Sequence, residues 1–231
     1  MKTPGIIGGI APESTIQYYR LMISSYRERK GDGSYPSILI TSIDMKKMLD
    51  LVGAKDLTGM ADYLVDEVEK LARAGAAFGL LASNTPHIIF DDIQARASIP
   101  LISIVEAACA AAQDLGLKRV GLFGTAFTMK GRFYADVFSS AGISVVVPDP
   151  EAQDFIHHKY MSELISGIFL PETRARLLDI ADRLRERDGI DGLVLGGTEL
   201  PLILNDPGGR DFPFLDTTKI HTDLAVAQML S

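Results

Sequence analysis

Tryptophan is absent from the 231 residues, and cysteine occurs once, at Cys109. One thiol closes no intramolecular disulfide and builds no thiolate metal site. Positive charge is in deficit: 23 lysines and arginines stand against 30 aspartates and glutamates, a net charge of -7. With no basic cluster, nucleic acids and anionic membrane surfaces are not expected partners. No run of about 18 apolar residues is present to span a bilayer. The opening Met1-Lys2-Thr3-Pro4-Gly5 lacks the apolar core and cleavage site of a signal peptide, so a cytoplasmic location is expected. What is present is an ordinary globular balance, 47% hydrophobic and 23% charged residues. The length corresponds to roughly one and a half average domains, long enough to bury a core without staples.

Apolar runs of strand length alternate with amphipathic segments of helix length. Strands are expected over 5–10, 37–43, 77–82, 101–104, 120–123, 143–147 and 192–195. Helices are expected over 13–29, 57–74, 88–97, 105–115, 132–141, 155–168, 172–187 and 217–230. Several of the strands are rich in Val, Ile and Leu without alternation, the pattern of strands covered on both faces. Repeated strand–helix alternation predicts an α/β fold with parallel sheets. The stretch 205–213 (NDPGGRDFP) is a loop by composition. A coarse repeat is visible: AFGLLASNT (77–85) and IDGLVLGGT (190–198) are both apolar strands ending in a small, polar turn. In open α/β sheets ligands bind at such carboxyl ends of strands.

Each turn admits two readings. Residues 5–15 (GIIGGIAPEST) form a strand, a glycine turn and a helix start, with Pro12 suited to the first helical turn and Glu13 to its positive end. Free N–H groups there suit a carboxylate or phosphate, and a purely structural turn explains the residues equally well. The spacing is neither G-x-G-x-x-G nor a P-loop, so no dinucleotide is implied. Ser83, Asn84 and Thr85 can hold a carboxylate or cap a helix. His87 titrates near neutrality if solvated, although a lone histidine in a first turn is more often structural. Thr198 and Glu199 after Gly197, and Thr125 with Thr128 after the strand at 120–123, face the same choice. Lys159 and Glu163 have the spacing of an ordinary helical ion pair. His157 and His158 point about 100° apart on a helix, so no metal site is expected. Cys109, in an alanine-rich helix, reads as a small buried hydrophobe.

In combination and in this order, GGIAPESTIQYY (8–19), SNTPH (83–87), IPLISIVEA (99–107), GLFGTAFTM (121–129) with Phe133-Tyr134, IHHKYMSELISG (156–167), LGGTELPL (195–202) and DTTKIH (216–221) resemble the aspartate/glutamate racemase family, specifically its aspartate racemase-like branch. The resemblance runs nearly end to end. It implies two pseudo-twofold-related α/β units with mainly parallel sheets facing a central cleft. One unit comprises 1–104 plus a returning C-terminal helix at 217–231, and the other 105–216. It also implies a homodimer and an isomerase that uses neither pyridoxal phosphate nor any other cofactor. In the family two cysteines flank the substrate Cα. One thiolate removes the proton and the opposing thiol donates one to the other face.

This chain departs from the pattern at both positions. Ser83 stands where the family has the first cysteine, in CNTxH, and Gly197 where it has the second, in GCTE. A hydroxyl is a far weaker acid than a thiol of pKa about 8.5, and glycine has no side chain at all. The surroundings are retained. Asn84, Thr85, Thr125 and Thr198 match residues that hold the amino acid's carboxylate and amino groups, and Thr128 and Lys159 stand with them as substrate-binding candidates. Glu13, His87 and Glu199 are the candidate acids and bases. The expected activity is a racemase or epimerase acting at Cα of an acidic amino acid or related carboxylate, with a non-standard acid/base set. The alternatives are a lyase or isomerase of altered chemistry on a dicarboxylate, and a non-catalytic binder of an amino acid or carboxylate.

Overall fold

Strands that are apolar on both faces require a layer of helices on each side, and this requirement is met twice. The computed structural model describes residues 1–231 and divides into two units, Met1–Ile104 with His221–Ser231, and Val105–Ile220. The first unit runs β1 (Pro4–Gly8), α1 (Pro12–Lys30), β2 (Leu39–Ser42), α2 (Met45–Gly53), α3 (Leu57–Arg73), β3 (Phe78–Leu81), a 3-10 turn (Thr85–Ile89), α4 (Phe90–Arg96) and β4 (Leu101–Ile102). The chain then continues through α5 (Ile104–Asp114), β5 (Arg119–Gly124), α6 (Ala126–Lys130), α7 (Phe133–Ser140), β6 (Ser144–Val146), α8 (Pro150–Ser162), a 3-10 turn (Leu164–Ser166), α9 (Pro171–Asp188), β7 (Gly192–Gly196), α10 (Leu200–Ile203), β8 (Phe214–Asp216) and α11 (Thr217–Leu230).

Each unit holds a four-stranded, wholly parallel sheet, ordered β2-β1-β3-β4 in the first and β6-β5-β7-β8 in the second. The order is the same in both. The chain starts on an inner strand, steps to one edge, and returns past its start to build outward on the other side. The point where the direction reverses lies between β1 and β3, and again between β5 and β7, and ligands in such sheets bind outside the strand carboxyl ends at that point.

Burial explains the central strands. Ile6 and Ile7 of β1 are adjacent, so they face opposite sides of the sheet. Ile6 joins Tyr18, Met22, Tyr26, Phe78 and Leu80 on one side, with Ala225, Val226 and Met229 of α11. Ile7 joins Met48, Val52, Met60, Leu64, Val68 and Leu81 on the other. Full burial of each such side chain contributes roughly 1.5–3 kcal/mol. In the second unit Leu193 and Leu195 pack with Ile180, Ala181 and Leu184 of α9 and with Ile156 of α8.

All seven expected strands are present, most of them shorter than expected. An eighth, β8, is only three residues long and follows directly on the 205–213 loop, too short for its pattern to register. Three helices were also not expected. For α2 the signal is there: Asp44 accepts from the Lys46 N–H at 2.9 Å, and Met45, Met48, Leu49 and Val52 follow at helical spacing. The other two, α6 and α10, are single turns of five and four residues. The helix expected at 155–168 starts earlier, because Pro150 takes its first turn and Asp149 caps it by accepting from the Ala152 N–H at 2.9 Å.

The glycine pair after β1 serves the chain itself. Gly9 has φ +86, and its N–H donates to Thr15 Oγ1 at 2.8 Å. A Cβ at Gly9 meets the Ile43 carbonyl oxygen at 2.5 Å. A Gly9→Ala variant is therefore expected to lose about 2–3 kcal/mol, from the left-handed strain and the backbone clash together. Calorimetry should show this as a fall of about 4–12 °C in Tm. A Tm within a degree of the parent's contradicts this account of the turn.

Candidate functional site

In the first unit the turn after β3 is anchored from below. Ser14 Oγ donates to the Ala82 carbonyl at 3.0 Å, fixing the strand end immediately before Ser83. Ser83, Asn84 and Thr85 are all buried there. Asn84 precedes the 3-10 turn without capping it through its side chain, so the helix-start reading does not account for this residue. Glu13 sits half-buried in the first turn of α1, at the neighbouring strand end, where the helix dipole favours its negative charge.

His87, a candidate acid or base in the sequence, has both ring nitrogens bonded to backbone. Its Nδ1–H donates to the Ser83 carbonyl at 3.0 Å, and its Nε2 accepts from the Ile104 N–H at 3.1 Å. Both ring nitrogens are thus committed to backbone, which fixes the neutral tautomer. The ring stacks on Phe90 with centroids 4.9 Å apart. Burial, and then the nearby His221, push its pKa down to about 3. His221 is held in the same manner: Nδ1 accepts from the Tyr18 hydroxyl at 2.8 Å and Nε2–H donates to the Ile102 carbonyl at 2.8 Å. Burial pushes its pKa down to about 4.

In the second unit three of the expected binding residues are engaged with the protein. Thr125 caps α6: its Oγ1 accepts from the Thr128 N–H at 3.4 Å and lies 3.3 Å from Thr128 Oγ1. Thr128 is fully buried, and its side chain fills the space over Gly124 and Gly196. Lys159 is ion-paired to Glu163, whose other oxygen accepts from Thr173 Oγ1 at 2.6 Å, tying α8 to α9. The Lys159 ammonium is therefore engaged by a carboxylate at the end of its own helix.

The turn after β7 is different in kind. Gly197, Thr198 and Glu199 follow the strand directly, and Thr198 and Glu199 are almost wholly buried. Thr198 Oγ1 donates to Glu199 Oε2 at 2.9 Å, and the Tyr160 hydroxyl donates to the same oxygen. Burial above all, and then the Glu199 charge, hold the Tyr160 phenol well above its ordinary pKa, so it is a neutral hydroxyl. Tyr160 is the residue that the sequence reading missed. The available signal is its spacing from Ala152 and Ile156, which puts a hydroxyl-bearing side chain on the buried face of α8.

No group of three histidine, cysteine, aspartate or glutamate residues is placed to hold a metal ion. No helix is long and apolar enough to cross a membrane. Cys109 is buried, with its thiol pushed up by burial and by Glu106.

The family model for Asp/Glu/hydantoin racemases matches residues 7–225. The chain is 29% identical over 232 residues to the broad specificity amino-acid racemase RacX of Bacillus subtilis, covering 98% of both chains. Among solved structures, an aspartate racemase homologue from Pyrococcus horikoshii superimposes with a TM-score of 0.85, at 33% identity over 99% of each chain. A Yersinia pestis protein provisionally assigned to the Asp/Glu racemases gives a TM-score of 0.91, at 31% identity over the whole of both chains.

The two buried histidines generate a pH prediction. Above about pH 6.5 they are neutral both folded and unfolded, and they impose no pH dependence. Below it the unfolded chain takes up protons that the folded rings refuse, so stability falls as pH drops from about 6.5 toward the folded values. Between pH 7 and pH 5 each histidine removes about 2 kcal/mol. Urea unfolding across this range should show the decline, and His221→Gln should remove about half of it. An equally steep profile in the variant contradicts the assignment.

Proposed function

The chain belongs to the Asp/Glu/hydantoin racemase family, and on that premise we propose that it is a cofactor-independent amino-acid racemase or epimerase. Its substrate in this reading is an acidic amino acid or a related carboxylate, attacked at Cα by an acid/base set other than two thiols. One observation carries the proposal. The carboxyl ends of β3 and β7, the third strand of each sheet in identical order, both end in polar residues sunk in the interior: Ser83, Asn84 and Thr85 in one, Thr198 and Glu199 in the other. Ligands in such sheets bind outside the strand carboxyl ends, and hydroxyl, amide and carboxylate groups gathered there suit the carboxylate and amino group of an amino acid.

Ser83 and Gly197 occupy the two positions at which the family resemblance places cysteines. The absence of a side chain at Gly197 supports a second reading, a carboxylate binder or a lyase acting on a dicarboxylate. Catalysis at Cα separates the two. The protein is incubated in D₂O with D- and L-Asp, D- and L-Glu and neutral amino acids, and Cα–H exchange is followed by proton NMR. Exchange supports the racemase reading. Ligand-induced stabilisation without exchange supports the binder.

The binding part has its own prediction. At 100 times its Kd a ligand raises stability by about 2.7 kcal/mol. Asn84→Ala and Thr85→Ala are each expected to weaken binding about tenfold, which cuts that stabilisation to about half. Undiminished stabilisation in both variants removes these residues from the site.

A further inference from the structure

Gly197 is a glycine for reasons of space, not of backbone. It is not among the glycines with positive φ. A Cβ built on it lies 2.5 Å from Cε2 of Tyr160 and 3.0 Å from both Cζ and the phenol oxygen. Tyr160 therefore fills the volume into which a side chain at 197 would project, and its hydroxyl lies within the reach of such a side chain. Any residue larger than glycine here must displace a fully packed aromatic ring. The carboxylate that accepts the phenol's hydrogen bond, Glu199, is two residues further along the same turn, and Thr198 between them donates to the same Oε2. Three consecutive residues thus supply the space, a second hydroxyl donor and the acceptor, and α8 supplies the phenol.

Resting on the amino-acid racemase reading, we infer that Tyr160 and Glu199 form the proton-transferring pair of the second unit, in place of a side chain at position 197. In the forward step the substrate Cα–H bond breaks and its electron pair stays on the substrate as a carbanion delocalised into the carboxylate. The proton passes to the Tyr160 oxygen while the phenol's own proton passes to Glu199 Oε2. The carboxylate becomes a carboxylic acid and the phenol is neutral before and after. Once the protons on Tyr160 and Glu199 have exchanged with solvent, the return step runs the same transfers backward, and no oxidant, reductant or cofactor enters. Burial and the Glu199 charge both disfavour a free phenolate. The relay avoids forming one.

The test compares the parent with Tyr160→Phe and Glu199→Gln, using the same D₂O exchange assay, amino-acid panel and thermal shifts. Tyr160→Phe keeps the ring and its packing. It is expected to fold, to retain the ligand-induced shift in Tm, and to lose exchange by about 10²–10⁴-fold, the usual contribution of a general acid or base. Glu199→Gln keeps the shape of the turn, removes the acceptor, and provides an independent reading with the same expected loss. Parent-like exchange in either folded variant overturns the relay and leaves the racemase reading standing. A parent that exchanges none of the amino acids overturns both.

Discussion

A strand buried on both faces has no room for a polar side chain along its length, and this constraint governs where chemistry can occur in both units. β1, β3, β5 and β7 carry only glycine, proline and apolar residues over their buried spans. After β3, β5 and β7 a polar residue (Ser83, Thr125, Thr198) comes within two positions of the carboxyl end, where the backbone leaves the ladder and the next helix begins. Helix starts gather there too, with their unpaired N–H groups and positive dipole ends. Each sheet thus concentrates hydrogen-bonding capacity at one edge while its interior remains apolar. Two sheets of identical strand order do this at equivalent strands, β3 in one and β7 in the other.

This logic made the fold legible. Unbroken apolar runs such as Ile6-Ile7 and Leu193-Val194-Leu195 indicate doubly covered strands, and the alternation of those runs with amphipathic segments indicates parallel sheets. The location of polar strand-end turns followed from the same pattern. What failed were short pieces whose definition depends on their neighbours. β8 exists because Leu193, Val194 and Leu195 of β7 offer it a ladder to join. α6 is one turn long and ends where Gly131 follows Lys130.

The roles of single side chains were less legible, because they depend on contacts distant in sequence. In its own stretch of sequence His87 reads either as a titratable group or as a structural residue of a first helical turn. Its actual partners are the Ser83 carbonyl and the Ile104 N–H, 17 residues ahead. Lys159 and Glu163 were readable as an ion pair because the two lie one turn apart, whereas the approach of Thr173 to the same carboxylate was not. The Tyr160–Glu199 contact spans 39 residues and depends on a glycine in a third place. Local pattern identifies which residues end a strand, and only the folded chain shows whether their hydrogen bonds are directed at a ligand or at each other.

The last helix, α11, begins within the second unit, where Thr217 Oγ1 donates to the Leu195 carbonyl at 2.7 Å, and from His221 onward it belongs to the first. Its Ala225, Val226 and Met229 complete the layer over Ile6, Phe78 and Leu80, and His221 bonds to Tyr18. During synthesis, residues 1–104 therefore emerge first but cannot close their core until everything in 105–220 has been made. The second unit has all of its residues available before the first does. The order of translation is consequently the reverse of the order in which the two cores can be completed. A nascent chain stalled between residues 105 and 220 leaves Ile6, Phe78 and Leu80 covered by α1 alone, an apolar surface that full-length protein does not present.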